Sequence, residues 1–240
     1  MNQIFVTGAY SRITQQAVLA LARLTPAFFH LSDRPGTLRT DELIEQLRFL
    51  GSDGRFLPLD LVKAEIPQDI EEMPPLSGLL LCAATGLVGD LTEIEVARVN
   101  CDSQVLTARY LYEQKAASTG LSGVFINSVW GHDLSLPLPH EGYRIIATTK
   151  NRAEFELRQL AINLRFPDRL NFVVASLVDK TAAQILLERA LRGKSQEIAQ
   201  DLPSARLPTT QEVGEVLAQV LLEERANNKV FYVPARMNRR

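Results

Sequence analysis

The sequence predicts a doubly wound α/β fold, with a parallel sheet of about seven strands and helices on both faces. Short apolar runs of strand length alternate along the chain with longer segments whose apolar residues recur every three or four positions. Leu79–Leu81 and Phe172–Val174 are apolar at consecutive positions. Such runs are typical of parallel strands that are covered on both faces. The alternation of strands with amphipathic helices therefore indicates one parallel sheet between two helical layers.

Seven runs have the length and composition of strands: Gln3–Thr7, Ala27–Leu31, Arg55–Leu59, Gly78–Ala83, Gly123–Asn127, Asn171–Ala175 and Lys229–Val233. Five segments have the spacing of amphipathic helices: Ile13–Leu24, Arg39–Leu50, Leu91–Ala116, Tyr143–Leu164 and Thr210–Arg225. Thr209 and Glu212 fit a capping box at the start of the last helix. The stretch Asp179–Leu207 is predicted to be a mobile flap with one helical segment.

Length and composition fit one domain over residues 1–240. A chain of 240 residues with 46% apolar content can bury one large core. Lys and Arg number 26 against 28 Asp and Glu, so no net charge drives binding to nucleic acid or to anionic membranes. The N-terminus lacks the pattern of a signal peptide, and no apolar run approaches the ~20 residues that cross a bilayer. We expect a cytoplasmic protein without nucleic-acid or membrane partners.

Cys82 and Cys101 are the only cysteines. Two cysteines make no disulfide framework, and no Cys or His pair has the spacing of a metal site. The sequence therefore predicts two reduced, buried thiols and no bound metal.

A tight turn follows the first strand and opens the first helix, at the place where an α/β sheet binds a dinucleotide pyrophosphate. Thr7, Gly8 and Ile13 match the pattern Thr-Gly-x-x-x-Gly-x-Gly of the short-chain dehydrogenase/reductase family, which this segment resembles. Arg12 and Thr14 stand where that family has its second and third glycines. The resemblance implies a Rossmann-like fold and NAD or NADP as the cofactor.

Two interpretations of Arg12 stay open. The family's glycines let the backbone approach the phosphates, so a side chain that intrudes at position 12 would weaken or abolish the dinucleotide site. Alternatively, Arg12 contacts a phosphate directly, because a guanidinium is suited to bidentate phosphate contacts. The site would then bind its cofactor in an altered way.

The resemblance extends to the ends of the second and third strands. Asp33 and Arg34 end the second strand, where an acid favours the ribose hydroxyl of NAD and a basic residue favours the extra phosphate of NADP. Both are present, so the choice between the cofactors stays open. Asp60 and Leu61 resemble the family's adenine-contacting pair.

Two further segments of the family pattern are altered. Ala83 and Ala84 occupy the asparagine positions of the Asn-Asn-Ala-Gly segment after the fourth strand. Small residues leave room for a ribose there, but the side-chain amides that brace the sheet are lost. After the sixth strand, Ala175 and Ser176 replace the family's Pro-Gly.

The resemblance also implies a catalytic group of Ser128, Asn100 and Lys150. Family members have a Tyr four residues before the Lys, whose ammonium lowers the phenol's pKa from ~10. Ile146 stands at that position and has no proton to give. Tyr143, seven residues before Lys150, returns to the same helical face about 10 Å along the axis. Two interpretations of Tyr143 stay open. It either packs against the core or, if the helix start is displaced, serves as the proton donor.

Two histidines lie in the loop that precedes this helix. His132 and His140 could each shuttle protons near pH ~6.5. We interpret both as exposed side chains without a role.

Two functions fit these residues. The first is a non-catalytic relative of the family that binds a small-molecule ligand or a partner protein without redox chemistry, since both cofactor and catalytic positions are altered. The alternative is an active NAD(P)-dependent oxidoreductase on a small carbonyl or alcohol, with a displaced proton donor. By resemblance, the helices Leu91–Ala116 and Tyr143–Leu164 form the interface of a homo-oligomer.

Overall fold

Seven parallel strands form one sheet in the order β3-β2-β1-β4-β5-β6-β7. The computed structural model describes residues 1–35, 40–86 and 91–233. The strands are β1 Asn2–Thr7, β2 Ala27–Asp33, β3 Asp53–Pro58, β4 Gly78–Leu81, β5 Ser122–Ser128, β6 Arg169–Ala175 and β7 Val230–Val233. All seven predicted strands and the doubly wound Rossmann-like fold are confirmed.

Helices connect the strands. They are α1 Arg12–Leu24, α2 Thr40–Phe49, α3 Gln68–Glu71, α4 Glu93–Ala97, α5 Ser103–Gln114, α6 Val129–His132, α7 Arg144–Asn163, α8 Ala182–Ala190, α9 Lys194–Gln200 and α10 Thr210–Leu222. The capping box of Thr209 and Glu212 is confirmed at the start of α10. Arg39, where the second predicted helix begins, lies outside the described residues.

Alternate residues of each strand enter two different layers of the core. Ile4 and Val6 of β1 pack with α1, α2 and α10 on one face, whereas Phe5 packs with α5 and α7 on the other. On the first face α1 and α10 approach so closely that position 214 has room only for glycine. A Cβ there would lie 2.7 Å from the Ala17 backbone nitrogen. The sheet is therefore buried between two helical layers.

The predicted helix Leu91–Ala116 is interrupted. Between α4 and α5, the five residues Arg98–Asp102 form a π-helical turn. Apolar spacing of three and four residues does not reveal such a turn, because one extra residue shifts the pattern without removing it. Asn100 lies inside this turn.

The flap Asp179–Leu207 has more regular structure than its sequence predicts. It contains two helices, α8 and α9, where one helical segment was expected. Leu187 and Ile198 of these helices pack with Trp130 and Leu177 in a third apolar cluster. The flap is thus packed against the carboxyl ends of β5 and β6.

None of the helices in the described parts of the chain is long and apolar enough to cross a membrane.

Candidate active site

Two adjoining cavities lie at the carboxyl ends of β1, β4, β5 and β6, which is where ligands bind in open α/β sheets. The larger has a volume of about 560 Å³ and the smaller of about 270 Å³. Five residues line both cavities: Tyr10, Ser11, Cys82, Ala84 and Thr85. The two cavities therefore form one groove that runs from the end of β2 to the flap.

The turn after β1 has the left-handed backbone conformation that a glycine at position 8 allows. Gly8 has φ +67°, and a Cβ there would lie 2.7 Å from the Ala83 Cα, so only glycine fits. Ser11 begins α1, and its side chain accepts a hydrogen bond from the Thr14 backbone N–H. Thr14 is fully buried, and its hydroxyl has no hydrogen-bond partner among the described residues. The turn thus keeps its close approach to β4 without the family's third glycine.

The Arg12 side chain leads out of the turn. Its Nη1 donates a hydrogen bond to the Lys180 carbonyl oxygen at 3.0 Å. Lys180 has a positive φ of 57°, a conformation that a non-glycine residue adopts rarely. Arg12 and Lys180 therefore stand together at the rim of the larger cavity and connect α1 to the flap.

The smaller cavity collects the residues that resemble the family's adenosine site. Asp33 accepts hydrogen bonds from the backbone N–H groups of Tyr10 at 2.8 Å and Arg34 at 2.7 Å. Asp60 accepts one from the Val62 N–H at 3.1 Å. Of the nine predicted cofactor residues, seven line this cavity: Gly8, Asp33, Arg34, Asp60, Leu61, Ala83 and Ala84. Ala84 also lines the larger cavity, as do the other two, Arg12 and Ile13.

Gln104 supplies the amide that Ala83 and Ala84 lack. Its Oε1 accepts a hydrogen bond from the Thr7 hydroxyl at 3.1 Å, and its Nε2 donates to the Ala83 carbonyl at 3.2 Å. Gln104 was not among the residues predicted from the sequence. A buried amide one helical turn after Asn100, on the same face, is the signal that could have found it.

Asn100 holds the chain that follows β4. Its Oδ1 accepts from the Thr85 N–H at 2.8 Å, and its Nδ2 donates to the Thr85 carbonyl at 3.1 Å. Nδ2 also donates to the Thr149 hydroxyl at 3.2 Å. Asn100 therefore joins this segment to α7, and its amide is occupied by protein groups.

Ser128 and Tyr143 meet in the wall of the larger cavity. Ser128 begins the short helix α6, and its Oγ accepts a hydrogen bond from the Gly131 N–H at 3.1 Å. Burial raises the pKa of the Tyr143 phenol, and a hydrogen bond from Ser128 offsets part of this rise. Tyr143 ends a 3₁₀ turn over Glu141–Tyr143, and α7 begins one residue later. The structure thus places the displaced tyrosine and the predicted serine in the wall of one cavity.

Lys150 lies beneath the cavity and faces the sheet. It is 6% exposed, and its Nζ donates to the Ile126 carbonyl at 2.9 Å. Burial lowers the pKa of Lys150 to about 8, although Cys82 and Glu154 act in the opposite direction. Among the described residues, no hydrogen bond joins the Lys150 Nζ to Tyr143; the ammonium is bonded to the backbone of β5.

A buried polar network continues from the site along α7. Glu154 accepts hydrogen bonds from Asn127 at 2.7 Å, from His132 Nδ1 at 2.8 Å and from Arg158 at 2.7 Å. Burial alone would raise the pKa of Glu154, but these hydrogen bonds outweigh it and leave the pKa below its ordinary value. His132 Nε2 lies 3.0 Å from the Tyr232 hydroxyl. The interpretation of His132 as an exposed, idle side chain is wrong.

His140 packs against the Tyr143 ring, with the ring centres 6.3 Å apart. Cys82 and Cys101 are buried free thiols, as the sequence predicts. Over residues 1–35, 40–86 and 91–233, no group of three or more His, Cys, Asp or Glu side chains could hold a metal ion.

Solved structures resemble this chain closely in three dimensions. A 3-oxoacyl-[acyl-carrier protein] reductase from Brucella melitensis, solved with NAD, is 18% identical, with a TM-score of 0.78 over 96% of this chain and 94% of that chain. A 3-oxoacyl (acyl-carrier-protein) reductase from Agrobacterium tumefaciens C58, solved with NADP, has the same identity and TM-score, over 96% and 92%. The chain has the short-chain dehydrogenase/reductase fold. Levodione reductase, also 18% identical, shares this fold with a TM-score of 0.78 over 97% and 95% of the two chains.

No protein-family model and no curated protein sequence matches the chain. The short-chain dehydrogenase/reductase fold is therefore visible in the backbone, while the sequence has diverged from its relatives.

Proposed function

We propose that this protein is an NAD(P)-dependent oxidoreductase that reduces a carbonyl group, with Tyr143 as its proton donor. The position of Tyr143 in the wall of the cavity that Ser128 also lines carries the proposal. A proton donor must lie within reach of the oxygen that receives the proton. Tyr143 supplies a donor at the site, although Ile146 occupies the family's tyrosine position.

The groove fits a dinucleotide on three observations. Gly8 keeps the tight turn at the N-terminus of α1, Asp33 and Asp60 line the far end, and Arg12 leads outward to Lys180. The larger cavity has three cations and no carboxylate among its described lining residues. Arg12 and Lys180 at the rim are therefore suited to bind the cofactor's phosphates.

Bound NAD(P)H would supply the hydride. On the protein side, the Gly131 N–H donates to Ser128 Oγ, which holds this hydroxyl in the cavity that Tyr143 also lines. The phenolic hydrogen is then directed to the substrate oxygen. As the carbonyl carbon gains the hydride, its oxygen becomes an alkoxide and takes the Tyr143 proton. Water reprotonates the phenolate, so the substrate leaves as an alcohol.

The pKa of Tyr143 sets the direction in which this site is effective. Because burial raises that pKa above 10, the phenol is protonated throughout the neutral range and serves as an acid. As a base for alcohol oxidation it is available only in alkaline solution. We expect the rate of reduction to be flat from about pH 6 to 9 and the rate of oxidation to rise with pH through this range.

A second candidate is a protein that binds a ligand without redox chemistry. It is favoured by Lys150, whose Nζ is bonded to the Ile126 carbonyl instead of facing the Tyr143 phenol. In that case the groove would hold a nucleotide or metabolite, and Tyr143 would only pack against Trp130.

The deciding experiment is a titration with NADH and NADPH, followed by calorimetry and by nucleotide fluorescence. Micromolar binding is expected, and Arg12→Gly should weaken it if Arg12 contacts a phosphate. Tighter binding by Arg12→Gly would show instead that the arginine obstructs the turn. Absence of binding at millimolar cofactor would reject the oxidoreductase and leave the second candidate.

Turnover is tested with a matched pair of variants. Tyr143→Phe removes only the hydroxyl and should lower kcat by at least about 100-fold, the usual contribution of general acid catalysis. Tyr112→Phe makes the same change at the opposite end of the sheet, where the Tyr112 hydroxyl donates to the Arg169 carbonyl, and should leave kcat unchanged. Equal rates for wild type and Tyr143→Phe would remove the phenol from the mechanism.

We further propose a homo-oligomer formed through α5 and α7. Both helices expose large apolar side chains, with Leu106 39%, Phe155 61% and Ile162 63% exposed. Exposed apolar clusters mark interaction surfaces. Phe155→Lys should yield monomers in sedimentation at micromolar concentration. Phe49→Lys on α2, where the phenylalanine is 91% exposed, should not. A wild-type monomer would contradict the proposal.

A further inference from the structure

The flap side of the larger cavity has a wall of apolar side chains, which we call the aromatic corner: Trp130, Tyr143, Ile146, Leu177 and Ala183. Four of them, all except Ile146, also belong to the third apolar cluster of the core. Their side chains are therefore fixed by packing. Ile146 extends this wall at the position where the family has its tyrosine.

The two rings of the aromatic corner meet nearly at a right angle. The ring centres of Trp130 and Tyr143 are 5.5 Å apart, and the planes are inclined by 70°. The Trp130 Nε1–H donates to the Pro137 carbonyl at 3.1 Å, so its one polar group is satisfied elsewhere. Aromatic rings prefer offset stacking and edge-to-face contacts, and two rings at this inclination offer both kinds of contact to a third ring.

Charge in the cavity is confined to other parts of its wall. Arg12 and Lys180 are exposed at the rim, and Lys150 is bonded to the Ile126 carbonyl beneath it. The side chains of the aromatic corner have two polar groups, the Tyr143 hydroxyl and the Trp130 Nε1–H, and the second is already bonded to the Pro137 carbonyl. Burying a charge or several hydroxyls against it would leave them without partners, at a large cost in free energy.

We infer that the substrate is an uncharged aryl ketone or aldehyde, whose ring occupies the aromatic corner and whose carbonyl oxygen faces Tyr143. This inference rests on the proposed reductase for the role of the carbonyl. Ring binding itself needs only the cavity. Sugar hydroxyls and the charges of amino acids are disfavoured in the aromatic corner itself, because they find no partners among Trp130, Leu177 and Ala183. Ser128, Ser176 and Thr181 line other parts of the same cavity.

The test measures binding before it measures turnover. Trp130 is the only tryptophan of the chain, so its fluorescence reports a ligand at the aromatic corner without cofactor. Acetophenone is the probe. Cyclohexyl methyl ketone, which has a saturated ring on the same acetyl group, is the matched control. Acetophenone should bind about fivefold more tightly, because ring contacts distinguish the two. Equal affinities would overturn the inference.

A second pair of variants, both in α8, tests whether the acetophenone ring binds at the aromatic corner. Ala183→Leu places a larger side chain in the aromatic corner and should weaken acetophenone binding at least tenfold. Ala190→Leu, an exposed position on the same helix, should leave the affinity unchanged. Unchanged affinity in Ala183→Leu would also overturn the inference. If acetophenone binds as expected but NADH and NADPH do not, the reductase fails while the aryl site stands.

Discussion

Replacing Lys150 by Met should stabilise the fold at neutral pH. Burial lowers the pKa of this ammonium from 10.5 to about 8, so the folded protein holds the charge less favourably than the unfolded chain does. This difference in pKa between the folded and unfolded states corresponds to a destabilisation of the fold by about 3 kcal/mol. Loss of the hydrogen bond to the Ile126 carbonyl offsets about 1 kcal/mol. The expected net gain is about 2 kcal/mol, or roughly 5 °C in Tm.

The pH dependence follows from the direction of the shift. Below pH 8 both states carry the Lys150 proton, and the cost in the folded state is complete. Between about 8 and 10.5 the folded protein releases the proton first, so the wild type regains stability as pH rises. The advantage of Lys150→Met should therefore be full at pH 7, disappear near about pH 9.5 and become a loss of about 1 kcal/mol at about pH 10.5.

Urea unfolding followed by circular dichroism measures this difference. Lys150→Arg is the control, since a guanidinium stays charged and cannot relieve its burial by losing a proton; this variant should be less stable than the wild type. A Lys150→Met protein that is less stable than the wild type at pH 7 would refute the reasoning and make Lys150 a structural cation. A stabilised Lys150→Met that has lost turnover would show that the lysine is kept for function at the expense of stability.

Three further predictions concern the fold. His30 accepts a hydrogen bond from Arg55 at Nδ1 and is therefore neutral, and burial, followed by Arg55, lowers its pKa to about 4. Stability should fall by up to about 3 kcal/mol as pH drops from 6.5 to 4, a loss that His30→Gln removes in urea titrations at both pH values. Gly8→Ala should cost at least about 2 kcal/mol in thermal unfolding, from its φ and its clash with Ala83. Gly51→Ala, at a glycine with φ +77° and open space around it, should cost about 1 kcal/mol. Equal losses of stability in the two variants would contradict the predicted clash at Gly8. Glu154→Gln should cost about 3 kcal/mol at pH 7. This difference should shrink as pH falls through the lowered pKa of Glu154; a constant difference from pH 7 to pH 3 would contradict it.

The order of strands and helices was predictable because parallel strands and amphipathic helices leave strong periodic patterns. Gly8 and the residues at the carboxyl ends of the strands could also be placed, since that edge of the sheet is fixed by the topology. Ala83 illustrates the limit at strand ends. It was predicted to lie in β4, yet its N–H donates to the Thr7 hydroxyl at 3.2 Å, and the strand ends at Leu81.

Contacts between distant residues could not be predicted. Tyr143 lines the same cavity as Ser128 from a 3₁₀ turn over Glu141–Tyr143 that precedes α7, a detail that helical spacing does not encode. The partners of His132 are 22 and 100 residues away in the sequence. The direction of Arg12 depends on the Lys180 carbonyl, which belongs to the flap. Each of these features is set by tertiary packing.

The π-helical turn at Arg98–Asp102 limits how the length of this chain can change. Asn100 and Gln104 hold Thr85 and Thr7 through bonds that depend on the extra residue in the turn. Removing Cys101 would restore regular α-helical bonding and rotate one side of the helix against the other by about 100°. One of the two amides would then leave its partner. A shortened version of this protein must therefore lose its residues elsewhere, and an engineered insertion is better placed in a surface loop.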